Sequence, residues 1–143
     1  MAKKVILGTI AYTAVTFILG ATWHFVLFKD LYAFLGAYNR HEPIIPLGFI
    51  SMFLQGMILS FLFQYVRRGT APIREGLLFS YIMGLFMYTL TTIAFAAKTV
   101  VSSLTAWFAI QAAFHLIQFT LVGLLLGVIF GRKRAIVGNT EAQ

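Results

Sequence analysis

The chain of 143 residues has no cysteine, three prolines and only four acidic residues. Without cysteine there is no disulfide framework, thiolate metal site, iron–sulfur cluster or cysteine nucleophile. The apolar stretches also lack a glycine-rich phosphate loop, an HExxH or GxSxG motif and any pair of carboxylates, so hydrolytic and phosphoryl-transfer chemistry miss their usual residues. What is abundant is apolar side chain. Hydrophobic residues make up 60% of the chain and aromatic residues 16%, against 10% charged. That balance is far from a soluble domain and indicates a membrane protein.

An apolar helix needs about 20 residues to cross a hydrocarbon core of roughly 30 Å. Four segments meet that length, at about 5–28, 47–66, 77–97 and 105–130. Peptide groups left unpaired in lipid are costly, so each span should be helical. The fold class predicted is an all-α membrane protein, a four-transmembrane-helix bundle forming one domain over 1–134, followed by a mobile tail at 135–143. The first span reads as a permanent helix rather than a cleaved signal, because its apolar run is long and Leu19 suits a cleavage site poorly.

A net charge of +7 would suggest nucleic acid in a soluble protein. Here the basic residues fall between the apolar runs, so topology accounts for them and no nucleic-acid partner is expected. Lys3, Lys4, Arg67, Arg68, Arg74, Arg132, Lys133 and Arg134 share one side, and Lys29, Arg40 and Lys98 the other, where Asp30 and Glu42 offset two of them. The positive-inside rule then puts both termini in the cytoplasm. The segment 29–46, with Tyr32, Phe34 and Tyr38 among charges, reads as a shelf at headgroup level. Pro43 and Pro46 set the start of the second span, and Pro72 with Glu75 the start of the third. Trp23, Trp107 and Lys98 are assigned to the outer boundary as aromatic-belt and snorkelling residues.

Each span carries a stripe of small or polar residues: Thr9, Thr13, Thr16, Gly20 and His24 in the first; Gly48, Ser51 and Gln55 in the second; Ser80, Gly84, Tyr88, Thr91 and Thr92 in the third; Gln111, His115 and Gln118 in the fourth. Such stripes turn away from lipid and toward other helices. The stretch WFAIQAAFHLIQ poses the functional question. By helical rise His115 lies near mid-membrane, at nearly the level of Gln55, so a Gln55–His115 contact is expected. One reading is mutual hydrogen bonding that holds helices together. Another is a small-ligand, lipid or ion cavity lined by Gln55, Tyr88, Gln111, His115 and Gln118. A third makes His115 the axial ligand of a haem or pigment, because a neutral imidazole is a good ligand and an intramembrane ionisable group is a functional candidate. His24 is the other intramembrane metal candidate, but helical rise places it roughly 10 Å shallower than His115, which disfavours a bis-histidine haem. A constellation of His24, Asp30, His41 and Glu42 at the outer surface follows no established metal spacing.

The opening segment, in which Gly20-Ala21-Thr22-Trp23-His24 runs into Leu27-Phe28, resembles the first helix of small bacterial four-helix inner-membrane proteins known as a domain of unknown function. The resemblance covers about a fifth of the chain. It implies the same topology and a bacterial inner membrane, and carries over no catalytic residue. The role expected is a non-enzymatic accessory or assembly subunit that works through helix–helix contacts with other membrane subunits or with copies of itself.

Overall fold

The computed structural model describes residues 2–37, 40 and 42–131. The expected tail at 135–143 lies outside them, as do Arg132, Lys133, Arg134, Tyr38 and His41. Four helices are long and apolar enough to cross a membrane: α1 (Ala2–Leu27), α3 (Ile45–Val66), α4 (Pro72–Ala96) and α5 (Leu104–Gly131). Between α1 and α3 lies a short helix, α2 (Lys29–Leu35), which ends on Gly36 in the left-handed conformation, φ 67°. The long helices are thus those predicted. All four start earlier than the expected spans; in α1 and α4 charged first turns, with Lys3-Lys4 and Arg74-Glu75, extend the helix beyond the stretch that would sit in lipid.

Local sequence explains the ends. Pro72 occupies the first turn of α4, where its missing N–H costs nothing. Glu75 reaches back from that turn and accepts hydrogen bonds from the backbone N–H groups of Arg68, Gly69, Thr70 and Ala71 at 2.8–3.1 Å, and from the Thr70 hydroxyl. One carboxylate therefore organises the whole link between α3 and α4, a larger role than the dipole partner foreseen. At the other end of the molecule, Ser102 donates through its backbone N–H to the Leu35 carbonyl and through its hydroxyl to that of Phe34, tying α2 to the α4–α5 link.

α5 is the central helix. Half of its most apolar stretch (50%) is buried, against 33% for α1 and 17% each for α3 and α4. α1 and α4 pack along α5, while α3 packs along α1 and touches α4 and α5 little. Phe63 of α3 supplies that contact, its ring centroid 5.2 Å from Phe79 and 5.3 Å from Phe130. The spatial order is therefore α3–α1–α5–α4, with the side between α3 and α4 left open. One apolar cluster, with Tyr12, Leu59, Phe63, Phe119 and Leu126, fills the half nearer the chain termini. A second, with Trp23, Tyr32, Leu35, Trp107 and Phe114, fills the half beneath α2.

Glycine sets the closest approach. A Cβ on Gly76 would collide with the carbonyl of Gly123, and one on Gly123 or Gly127 would lie 2.8 Å from the Cα of Leu77 or Ile73. The α4–α5 backbones thus touch along Gly123, Gly127 and Gly131, a Gly-x-x-x-Gly-x-x-x-Gly run visible in the sequence but not among the stripes picked out above.

The stripe of α1 is buried as expected, at Thr9, Thr13, Thr16 and Gly20. The stripe of α3 is not. Gly48 and Ser51 are exposed, and the packed face is Gly56, Leu59, Ser60 and Phe63. α3 is apolar nearly all the way round, so its sequence gives no preferred face, and close approach to Tyr12 at Gly56 decides the matter. Trp23 and Trp107 are also buried, 8% and 1% exposed, rather than forming a lipid-facing belt. Packing under α2 removes them from the boundary.

Candidate functional site

The half of the molecule beneath α2 gathers most of the polar chemistry, and both flanking helices change form there. α1 widens into a π-helical turn at Trp23–Leu27, closed by the Phe28 N–H on the Trp23 carbonyl at 3.0 Å. α4 does the same at Thr89–Ile93. A π-turn frees carbonyls and displaces side chains, and such turns concentrate at functional positions. In α4 the displaced backbone is used directly, since the indole N–H of Trp107 donates to the Thr92 carbonyl at 3.1 Å. Nothing in the sequence marks these turns.

Around them, Gln111, His115 and Tyr88 come together. The Tyr32 hydroxyl, brought in by α2, donates to Gln111 Oε1 at 2.9 Å. Tyr88 donates to the Phe108 carbonyl at 3.2 Å, and its ring lies edge-on to His115, centroids 5.6 Å apart. His115 Nδ1 lies 2.8 Å from the Gln111 carbonyl, which can only accept, so Nδ1 carries the hydrogen. Nε2 faces the Thr91 hydroxyl at 3.2 Å, while that hydroxyl also reaches the Met87 carbonyl at 2.8 Å. The contact is completed in one of two ways: the hydroxyl turns its hydrogen to Nε2, or the imidazole takes a second proton.

The other two expected members lie elsewhere. Gln118 Nε2 donates to Thr16 Oγ1 at 3.0 Å across the α1–α5 interface. Gln55 accepts from the Tyr12 hydroxyl at 2.8 Å and donates to Ser51 at 3.1 Å. The expected Gln55–His115 contact is therefore absent among the described hydrogen bonds. The reason is helix order: α3 sits behind α1 and not against α5. Phe114 lies between the two imidazoles, its ring centroid 4.9 Å from that of His24 and 5.6 Å from that of His115.

An Nδ1–H held by a backbone carbonyl is how proteins orient a metal-ligating imidazole. In His115, however, Nε2 is already met by Thr91. Among the described residues no three His, Asp or Glu side chains converge as a metal site. His41, the third histidine, lies outside them.

A cleft of about 410 Å³ opens beside this cluster, between the last turns of α4 and the first turns of α5. Leu90, Ala94, Phe95 and Trp107 form apolar walls, Thr91 and Gln111 line its deep end, and Lys98 and Thr99 its mouth. Of the five side chains expected to share one cavity, only Gln111 lines this one. Gln111 is 5% exposed, and beyond the Tyr32 bond to its oxygen, its amide nitrogen has no partner among the described residues. Lys98 and Thr99 were not expected in a site. Compared with known proteins, the chain matches no family model, and no curated protein or solved structure matches it.

Proposed function

We propose that the chain is a multi-pass protein of the bacterial inner membrane with both termini cytoplasmic, and that it serves as a non-enzymatic accessory or assembly subunit through helix–helix contacts. The observation that carries this reading is the open side between α3 and α4. Gly48 and Ser51 of α3 are exposed as well, and among the described residues Ser51 is hydrogen-bonded within its own helix, by Gln55. A small and polar face in an otherwise Phe- and Leu-rich helix suits a neighbouring helix better than acyl chains. Other polar groups of the stripes, Thr16, Gln55 and Gln118, are spent inside the bundle on the Gln118–Thr16 and Tyr12–Gln55 bonds. Native mass spectrometry after gentle extraction from the source membrane tests the reading. A multiple of the chain mass, or the chain plus another polypeptide, is the expected result, and a bare single chain would sink it.

A second reading, small-ligand binding, is favoured by one feature of the α4–α5 cleft. Gln111, with its amide nitrogen unpartnered among the described residues, turns hydrogen-bond capacity toward a largely apolar cleft, where a bound acceptor would meet it. A discrete small adduct in the same mass spectrum is its expected signature.

A further inference from the structure

The α4–α5 cleft has a polarity profile along its length, and that profile specifies more than the presence of a ligand. At the mouth stands Lys98, an exposed ammonium with no carboxylate partner among the described residues. The middle is apolar and partly aromatic, with the rings of Phe95 and Trp107 5.2 Å apart and tilted by 31°. At the deep end lies Gln111, a residue 5% exposed whose oxygen accepts from Tyr32 and whose amide nitrogen has no hydrogen-bond partner among the described residues. From Lys98 to Leu90 the helix rises roughly 12 Å. The volume of about 410 Å³ falls in the range of small-molecule sites, roughly 300–1,000 Å³.

We propose that this cleft binds an elongated amphiphile, a medium-chain carboxylate bearing an oxygen at its far end, with the carboxylate on Lys98, the chain along the apolar wall that Leu90, Ala94, Phe95 and Trp107 form, and the distal oxygen accepting from Gln111. The proposal rests on the small-ligand reading and adds to it the ligand's chemical class. A plain acyl chain leaves the Gln111 donor unmet. A neutral alcohol leaves the cation at the mouth unmatched, and the ammonium is well placed for an anion entering from the headgroup layer.

The test compares three probes, ω-hydroxydecanoate, decanoate and decanol, by equilibrium binding to the full chain in nanodiscs of zwitterionic lipid, with empty discs subtracted. The expected order is ω-hydroxydecanoate, then decanoate, then decanol, each step about tenfold in Kd. Lys98→Gln is expected to weaken both carboxylates about tenfold and leave decanol unchanged, and Gln111→Leu to erase the advantage of ω-hydroxydecanoate over decanoate. Gln118→Leu, which removes an interhelical hydrogen bond at the α1–α5 interface and touches nothing in the cleft lining, retains that advantage and controls for a loosened fold. Saturable binding that ignores Lys98→Gln and Gln111→Leu would overturn the proposal while leaving a small-ligand site elsewhere in the chain. If no probe binds saturably, the amphiphile class is wrong. A small adduct on the natively extracted protein would then keep the small-ligand reading alive, and its absence would end both.

Discussion

A glutamine inside an apolar helix bonds to whatever polar group lies within reach, and the strength of that bond depends on what the amide would find if the helices came apart. Gln118 and Thr16 meet across the α1–α5 interface at 3.0 Å, both nearly fully buried. Gln118→Leu is expected to destabilise the folded chain by about 0.6–2 kcal/mol, the range of interhelical hydrogen bonds in lipid, read from unfolding in mixed detergent micelles. Ser80 makes the opposite case. It is 1% exposed, but its hydroxyl finds no partner among the described residues, so it acts as a small spacer. Ser80→Ala should therefore match or exceed the parent in the same titration, because it removes an unmet polar atom and little volume. The sequence shows that Thr16, Ser80, Gln111 and Gln118 face inward, because their spacing repeats with the helix. It does not show which of them finds a partner. That depends on which helix stands opposite, and helix order is not written in periodicity.

α5 can be central because it carries glycine where the next backbone arrives. Gly123→Ala places a methyl group 2.8 Å from the Leu77 Cα, contact with main chain that cannot rotate away. It is expected to cost about 1–3 kcal/mol by forcing α4 and α5 apart. Gly48→Ala in α3 meets nothing within 4 Å. It should be neutral or gain up to about 1 kcal/mol from helix propensity. The same unfolding titration separates them, and equal effects would refute the glycine-mediated crossing. Hydropathy revealed all four long helices, and the Gly123–Gly127–Gly131 repeat contained the α4–α5 crossing for anyone counting in fours. The face of α3 was not legible, since a helix apolar all round has no direction. Nor were the π-turns at Trp23–Leu27 and Thr89–Ile93, for which the sequence carries no residue code. The α4–α5 cleft lies where two helices meet, and only Gln111 of its lining stood out in the sequence as a site residue.

Across the whole molecule the two ends differ in charge, and the fold reinforces the difference. At one end Lys4 Nζ and Arg67 Nη1 both donate to the Phe130 carbonyl at 2.9 Å, so cations from the start of α1 and the α3–α4 link converge on the last turn of α5. Such placement complements the negative end of the helix dipole and concentrates positive charge where α5 leaves the bundle. The opposite end carries α2 and Lys98, with Asp30 exposed on the first turn of α2. If the basic end faces the cytoplasm, a membrane-impermeant maleimide added to intact cells should label Asp30→Cys and spare Thr70→Cys until the membrane is opened. The cysteine-free parent gives a blank background, and both positions are solvent-exposed, so protection cannot be mistaken for burial. Labelling of Thr70→Cys alone in intact cells would invert the orientation and put the mouth of the cleft on the cytoplasmic side, where an amphiphile would have to arrive from within.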